Sequence, residues 1–474
     1  MAAETSSGVA ANHEQVFPVG FMWGAATSAY QIEGAVSADG RGTSIWDTFS
    51  HTPGRIADGQ TGDVACDSYR RFEDDLELLT QLGVGAYRFS IAWPRIQPTG
   101  AGAINQAGLD HYRRVVARLR DRGILPVVTL YHWDLPQALQ DRGGWASREI
   151  AQRFADYAGI VARGLGDEVA MWITVNEPWV VANVGYRWGR HAPGISDPRQ
   201  ASAVTHHLLL GHGLAVDALR AAARPGAQVG ITLNLTSVRA ADGASVEAAA
   251  IIDAEANGLF LEPVLAGRYP GQLPAEVHPS PELIQDGDMI QISRPIDFLG
   301  VNYYRPTVVR RSTGDGLRAG ETELPGHPGI VGVSPTHLPT TDMGWPVDPQ
   351  GLFELLGRLR QDYPQIPLYI TESGAAFADQ IGPDGVVDDP KRVDYLQGHV
   401  AAAWRAIRDG VDLRGYFVWS LLDNFEWDQG YSQRFGLFYV DYATQRRIPK
   451  RSSRWFQDVA TTNRLPAVPH GAPG

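Results

Sequence analysis

Two glutamates in this sequence directly follow short apolar runs, a position from which a carboxylate can do chemistry. The first run, residues 169–175, is apolar or β-branched and is followed by an asparagine, Glu177 and Pro178. Because proline cannot donate a hydrogen bond to a neighbouring strand, a strand here must stop at the glutamate. The second run, residues 367–371, is followed by Glu372. If both runs belong to one parallel barrel, the two carboxylates share one mouth, an arrangement typical of sites that cleave glycosidic bonds.

Two carboxyls about 5–5.5 Å apart can cleave a glycosidic bond with retention of configuration. One attacks the anomeric carbon, while the other protonates the leaving oxygen and later deprotonates water. The two groups therefore need opposite protonation states at one pH. Burial or a negative neighbour raises the pKa of the acid, whereas a cation and hydrogen bonds lower the pKa of the nucleophile. Arg88, near the end of another predicted strand, is a candidate for that cation.

The supply of aromatic side chains fits a sugar ligand. The sequence has 13 tryptophans, several of them at predicted strand ends. An indole can stack on the apolar C–H face of a sugar ring, whose hydroxyls need fixed donors and acceptors. We predict that Trp419 and Trp427 lie at such a site, whereas Trp172 and Trp404 are core residues. The candidates for contacts with hydroxyls are Gln31, His132, Asn176 and Glu426.

Eight apolar runs recur along the chain, most of them followed by an amphipathic helical pattern. This alternation indicates a parallel sheet with right-handed crossovers, and eight units indicate closure into a barrel. We predict an α/β fold, a single (β/α)8 TIM barrel with long βα-loop insertions, over residues 16–462. Flexible tails are predicted at 1–15 and 463–474, and rim insertions at 50–66 and 305–348. The predicted strands are residues 21–27, 86–91, 125–131, 170–175, 229–234, 297–303, 367–371 and 414–420.

Composition excludes several classes of protein. The net charge of −12 and the sequence pI near 5.5 argue against a nucleic-acid partner. A single cysteine, Cys66, excludes an internal disulfide. The sequence lacks a basic start followed by an apolar run, and lacks any apolar stretch of membrane-spanning length. We therefore expect a cytoplasmic protein with no membrane partner and no signal peptide; the sequence leaves its oligomeric state open.

Other candidate sites are weaker. His206, His207 and His212 lie on a predicted helix over residues 202–222, but their spacing puts no pair of ligands on one helix face. We interpret them as packing or capping groups. The chain also lacks the glycine-rich phosphate loop of nucleotide-binding proteins. We therefore expect no metal and no cofactor.

Six motifs, read together, resemble one known family. They cover residues 21–34, 87–96, 174–178, 302–304, 370–374 and 419–427. In this order they resemble glycoside hydrolase family 1, the β-glucosidase family, and the resemblance extends from about residue 16 to 458. One departure is visible: the family usually has asparagine after the nucleophile, and this chain has Ser373.

The resemblance implies roles for individual residues. Glu177 would be the acid/base and Glu372 the nucleophile, with Arg88 and Tyr304 orienting Glu372. The residues implied to bind substrate are Gln31, His132, Asn176, Trp345, Trp419, Glu426, Trp427 and Phe435. Among them, the asparagine would hold the 2-hydroxyl and Trp345 would line the leaving-group side. The phenylalanine would close the pocket near the 6-position of the sugar.

The resemblance implies a retaining β-glucosidase. It would release terminal non-reducing β-D-glucosyl residues from cellobiose, oligosaccharides or aryl and alkyl β-glucosides by double displacement. A β-galactosidase, a β-fucosidase or a transglycosylase of the same family remain alternatives. A non-catalytic sugar-binding barrel is an alternative from a different class, although such relatives typically lack one catalytic glutamate. The carboxylate of Glu426 would repel a 6-phosphate, so we expect an unphosphorylated small-molecule substrate.

Overall fold

A closed barrel of eight parallel strands organises the chain. The computed structural model describes residues 15–466 except Ala275 and Asp315. Each barrel strand pairs with its neighbours in chain order, and the first strand pairs with the last. This architecture confirms the predicted (β/α)8 fold, and the strand bounds differ from the predicted ones by at most two residues. The strands are β1 (Met22–Ala26), β2 (Ala86–Ser90), β3 (Leu125–Tyr131), β4 (Met171–Asn176), β5 (Gln228–Asn234), β6 (Phe298–Asn302), β7 (Leu368–Ser373) and β8 (Leu413–Trp419).

Helices follow every strand and form the outer layer. Three of them begin with proline, which suits the first turn of a helix because its missing N–H has no intrahelical partner there. The longer helices of the outer layer span Ser68–Leu82, Gln106–Asp121, Glu149–Leu165, Pro198–Ala222, Val246–Asp253, Leu259–Ala266, Pro349–Asp362, Pro390–Arg408 and Arg451–Thr462. Shorter helices span Ala29–Ile32, Ile45–Ser50, Trp93–Ile96, Gln137–Gln140 and Asp288–Ile292, and π-helical segments span Val180–Arg187 and Ala254–Gly258.

Alternate residues of each strand face two separate apolar cores. One set fills the barrel interior and includes Val127, Ile173, Phe298, Tyr369 and Phe417. The other set packs against the helices and contributes to a larger apolar layer around the barrel. Because both faces of each strand are buried, the strands read as continuous apolar runs in the sequence. The interior core therefore serves as the floor beneath whatever lies at the carboxyl ends of the strands.

The predicted rim insertion at 305–348 has secondary structure of its own. Its strands Thr307–Arg311, Glu321–Glu323 and Ile330–Val333 join Val238–Ala240 in a four-stranded sheet. A second small sheet pairs Phe438–Asp441 with Arg446–Pro449. Among the helices that the structure describes, none has the length and apolar character needed to cross a membrane.

The two ends of the described chain meet beside β1. The backbone N–H of Leu465 donates to the carbonyl of Gln15, and that of Phe17 donates to the carbonyl of Asn463. Trp404, predicted to be a core residue, is half-buried and donates from its indole to the carbonyl of Val16. Residues 1–14 and 467–474, which make up most of the two predicted tails, lie outside the described residues.

Candidate active site

Both glutamates lie at the carboxyl-end mouth of the barrel. Glu177 directly follows β4, and Glu372 is the penultimate residue of β7. Their exposures are 6% and 3%, so both carboxylates are buried. Glu177 has a φ of +48°, a left-handed conformation that costs free energy for any residue except glycine. Its backbone N–H donates to the carbonyl of Thr232 at 2.9 Å, which fixes the turn at the end of the strand.

Arg88 and Tyr304 hold the carboxylate of Glu372 from two sides. Nη1 of Arg88 lies 2.7 Å from Oε1 of Glu372, and the hydroxyl of Tyr304 donates to Oε2 at 2.6 Å. Nη1 also donates to the carbonyl of Thr371 at 2.9 Å. With both oxygens engaged, the carboxylate has a fixed orientation. The structure thus brings the two predicted orienting residues onto the predicted nucleophile.

Asn302, at the end of β6, connects the two carboxylates. Its Nδ2 donates to Oε1 of Glu177 at 2.7 Å and to Oδ1 of Asn176 at 3.2 Å. Oδ1 of Asn176 also accepts a hydrogen bond of 2.5 Å from Nη2 of Arg88, the residue that holds Glu372. Both glutamates therefore belong to one buried hydrogen-bonded cluster.

Asn302 is not among the site residues predicted from the sequence, although it falls within one of the six motifs. It ends β6 just as Asn176 ends β4. A polar residue at the end of an apolar strand was thus the available signal. The strand-end pattern that drew attention to the two glutamates applies equally to this asparagine.

The electrostatics of the cluster separate the two carboxyls. Burial, followed by the charge of the neighbouring Glu372, raises the pKa of Glu177 to about 8, although Asn302 and Arg88 act in the opposite direction. Burial also raises the pKa of Glu372, but Arg88 and the hydroxyl of Tyr304 counter that effect directly. Because the cation contacts only one of the two carboxylates, Glu372 is the group stabilised in its ionised form. Glu177 is the group favoured as the acid.

A second polar group lies beside the barrel mouth. Nε2 of Gln31 donates to the carbonyl of Phe425 at 2.9 Å and to Oδ1 of Asn424 at 3.1 Å, and lies 3.4 Å from Oε2 of Glu426. Burial, followed by the charge of Asp428, raises the pKa of Glu426 to about 8. The amide and carboxyl of this pair are thus positioned side by side, as binding of neighbouring hydroxyls requires.

His132 connects the amide network to the aromatic walls. Its Nε2 lies 3.0 Å from Nδ2 of Asn176, and burial together with the charge of Arg88 lowers its pKa well below the ordinary value. A neutral imidazole therefore accepts this hydrogen bond. The ring is nearly parallel to those of Trp419 and Trp427, with centroid distances of 5.9 and 6.0 Å.

A second aromatic group stands on the Glu372 side of the site. The rings of Tyr304 and Trp345 have centroids 5.6 Å apart, and Phe435 lies 6.1 Å from Tyr304 and 6.2 Å from Trp345. These rings contact the core of the barrel interior. The predicted substrate-binding residues thus fall into clusters around the glutamates, and their individual roles stay predictions.

Ser373 points away from the pocket. Its hydroxyl lies 3.1 Å from the hydroxyl of Tyr395, on the helix Pro390–Arg408. The side chain alternates with that of Glu372 along β7 and therefore faces the outer layer. The departure from the family pattern thus lies behind the strand rather than in the site.

The three histidines of the helix Pro198–Ala222 are hydrogen-bonded within the fold. His206 contacts Asp288, His207 contacts the carbonyl of Trp145, and His212 contacts the hydroxyl of Thr174. Within residues 15–466, apart from the two positions left undescribed, no cluster of three or more His, Cys, Asp or Glu side chains could hold a metal ion. Trp172, predicted to be a core residue, is fully buried, as expected.

The chain is similar to known proteins over most of its length. The model of glycosyl hydrolase family 1 matches residues 13–465. The chain is 48% identical to beta-glucosidase A of Thermotoga maritima over 95% of this chain and 98% of that protein. It is 50% identical to a bifunctional beta-D-glucosidase/beta-D-fucosidase of Bifidobacterium breve, over 93% and 97% of the two chains. A solved structure of the Thermotoga maritima beta-glucosidase in complex with glucoimidazole superimposes with a TM-score of 0.88, at 46% identity, covering 95% of this chain and 99% of that one.

Proposed function

Because the chain belongs to glycosyl hydrolase family 1, we propose that it is a retaining β-glucosidase in which Glu372 is the nucleophile and Glu177 the acid/base. The observation that carries these assignments is the cluster formed by Arg88 and Asn302, which ties both carboxylates into one buried site. Its asymmetry supports the division of roles, since the arginine contacts Glu372 and the asparagine contacts Glu177.

In the first half of the reaction, Oε of Glu372 attacks the anomeric carbon of the bound glucosyl unit. The C–O bond to the leaving group breaks, and Glu177 gives its proton to the departing oxygen. Positive charge that develops on the ring spreads over the anomeric carbon and the ring oxygen, beside the carboxylate of Glu372. The products of this step are the free alcohol or shorter sugar and a covalent glucosyl ester of Glu372.

In the second half, Glu177, now ionised, takes a proton from water as that water attacks the anomeric carbon. The ester bond breaks, Glu372 leaves as a carboxylate and β-glucose is released. Two inversions give net retention of configuration. Arg88 and Tyr304 support this step because they stabilise the departing carboxylate with a charge and a hydrogen bond.

The substrates we propose are cellobiose, short β-linked oligosaccharides and aryl or alkyl β-glucosides. Gln31 and Glu426 would hold neighbouring hydroxyls of the terminal sugar, with Trp419 as the stacking surface. A second activity on β-D-fucosides is favoured by the Bifidobacterium breve relative, whose name includes that activity. A panel of nitrophenyl glycosides, compared by kcat/KM, measures the balance between the two.

Replacement of the nucleophile provides the main test. We expect Glu372→Gly to lose activity on 4-nitrophenyl β-glucoside by several orders of magnitude, because the covalent intermediate cannot form. Added azide should fit the space left by the side chain and attack the anomeric carbon once, so the product should be α-glucosyl azide. Analysis of the product by NMR distinguishes this single inversion from the β-glucose that wild-type enzyme releases first.

The azide rescue also serves as the folding control, because only a folded pocket can position the small nucleophile. Wild-type turnover by Glu372→Gly without azide would refute the assignment. So would a rescued product of β configuration, since that would require a second nucleophile in the variant.

A further inference from the structure

Arg305 is a cation at the barrel mouth that the proposed chemistry does not use. It directly follows Tyr304, whose hydroxyl contacts Glu372, so the backbone of Arg305 lies next to the site. Its guanidinium carbon lies 5.5 Å from the ring centre of Trp345, which itself packs against Tyr304. The side chain thus points towards the aromatic rings of Tyr304 and Trp345 rather than away from the site.

No carboxylate of the described residues neutralises Arg305. Other arginines around the rim have such partners: Arg239 pairs with Asp348 at 2.6 Å, and Arg310 pairs with Glu321 at 2.8 Å. Within the described part of the chain, the guanidinium of Arg305 contacts the ring of Trp345 and no acidic side chain. Although the residue is exposed to solvent, the surrounding protein desolvates its guanidinium and lowers its pKa. An arginine remains protonated even so, which leaves an uncompensated positive charge at the mouth.

This charge contrasts with its surroundings. The chain has a net charge of −12, and Glu177, Glu372 and Glu426 lie together in the pocket. An anionic group that enters the mouth meets repulsion from the ionised carboxylate of Glu372, which a guanidinium can offset. Arginine binds carboxylates in a planar, two-pronged geometry and remains free to do so while its face rests on an indole.

We propose that Arg305 determines specificity by binding a carboxylate on the leaving group, so that the enzyme accepts β-glucosides of aromatic acids. The proposal rests on the proposed function, since it concerns the leaving group of the same reaction. The aromatic ring of such a substrate would lie near Trp345, and its carboxylate would meet the guanidinium at the rim. Arg305 would act on recognition and not on the bond-breaking steps.

The test compares two substrates of matched shape, 4-carboxyphenyl β-D-glucoside and 4-carbamoylphenyl β-D-glucoside. The ratio of their kcat/KM values is measured for wild type, Arg305→Gln and a control, Arg311→Gln. Arg311 lies on the same rim sheet, but it is exposed and pairs with Glu247 at 3.4 Å. We expect Arg305→Gln to lower the carboxylate-to-amide ratio about tenfold, the loss of one charge-assisted contact, and Arg311→Gln to leave it unchanged.

Two further measurements make the outcome decisive. Added salt should lower the ratio in wild type and have little effect on it in Arg305→Gln, because salt screens a charge pair at the mouth. Turnover of 4-nitrophenyl β-glucoside should be similar in all three proteins. An equal ratio in wild type and Arg305→Gln, or an equal fall in Arg311→Gln, would overturn the role of Arg305. Failure of wild type to hydrolyse any of these glucosides would instead overturn the proposed function.

Discussion

Asn302 shows how a single amide can connect two buried carboxylates. Its N–H group donates to Glu177, and the same group contacts the amide oxygen that also binds Arg88. A donor stabilises the charged form of a carboxyl, yet burial still keeps the pKa of Glu177 at about 8. The hydrogen bond therefore acts mainly on the position of Glu177, whose proton is retained because of desolvation and the charge of Glu372.

Replacing the proposed acid should separate protonation from bond breaking. In wild type, kcat/KM should fall as pH rises through about 8, because Glu177 loses its proton there, and should fall at low pH as Glu372 becomes protonated. In Glu177→Gln the alkaline fall should disappear. Activity on 4-nitrophenyl cellobioside or cellobiose should drop by about 10²–10⁴-fold, the usual contribution of general acid catalysis.

The matched control is 2,4-dinitrophenyl β-glucoside, whose leaving group departs without a proton. Its kcat/KM reports the first step alone and should change little in Glu177→Gln. The amide oxygen of the glutamine can still accept the hydrogen bond from Asn302, so the site should keep its geometry. An alkaline fall that persists in the variant would assign that limb to another group.

At this scale the sequence was informative wherever a polar residue ended an apolar run. Glu177 and Glu372 stand at such positions, whereas Arg88 is the middle residue of β2 and not its end as predicted. The structure brings all three into one cluster. The importance of Asn302 was missed because a lone asparagine is also common at ordinary strand ends. The direction of Ser373 follows from the alternation of side chains along β7, because Glu372 faces the site and the next residue must face the outer layer.

The ends of β7 and β8 approach each other so closely that only glycine fits between them. A Cβ atom on Gly374 would lie 1.7 Å from the carbonyl oxygen of Trp419, far inside van der Waals contact. The residue before this glycine ends β7, and Glu372 precedes it by one position. The glycine thus fixes the distance between the strand that carries Glu372 and the strand that carries Trp419.

Gly374→Ala should therefore damage the site through its elements. The two strand ends must separate, which displaces Glu372 relative to the sugar and lowers kcat/KM for 4-nitrophenyl β-glucoside by about 10²-fold, a typical cost of a misplacement near 1 Å. The control is Gly357→Ala on the helix Pro349–Asp362, where a Cβ meets no atom within 4 Å. Near-wild-type activity of Gly374→Ala, with unchanged thermal stability, would show that the strand ends adjust freely.

The barrel strands could be predicted closely because each is buried on both faces. Continuous apolar runs that end in polar residues leave little freedom for their bounds. The sheet of the rim was not predicted: its strands Glu321–Glu323 and Ile330–Val333 are short, and its edge strand, Val238–Ala240, lies far away in sequence. Pairing over such a distance is decided by tertiary contacts rather than by local pattern.

On the scale of the whole molecule, the site exists only when the barrel is closed. Arg88 and Glu372 are 284 residues apart, and Gln31 and Glu426 are 395 apart, yet both pairs are in contact. β1 pairs with β8 in register from Met22 to Ala26, which joins the first strand to the last. Contacts at the opposite, amino-terminal side of the barrel therefore support the site indirectly, by holding this closure.

Asn463 makes the most concentrated of these contacts. Its Oδ1 accepts from the indole of Trp23 at 2.9 Å, and its Nδ2 donates to the carbonyl of Phe17 at 2.9 Å. The residue also ends the helix Arg451–Thr462 with a φ of +56°, a conformation that asparagine and glycine tolerate better than other residues. One side chain thus joins the last helix to the segment that leads into β1.

Two substitutions at this position should separate the side-chain contacts from the backbone conformation. Asn463→Gly keeps the left-handed turn and loses the hydrogen bonds, and we expect a cost of about 1–3 kcal/mol from the unpaired indole and carbonyl. Asn463→Ala adds the penalty of the turn, about 1 kcal/mol more. Thermal midpoints measured under one set of conditions should therefore fall in the order wild type, glycine variant, alanine variant. Because the contact lies on the side of the barrel opposite the glutamates, kcat/KM at 25 °C should stay at the wild-type value in both variants. A loss of activity at a temperature where both are fully folded would show that this end of the barrel communicates with the site.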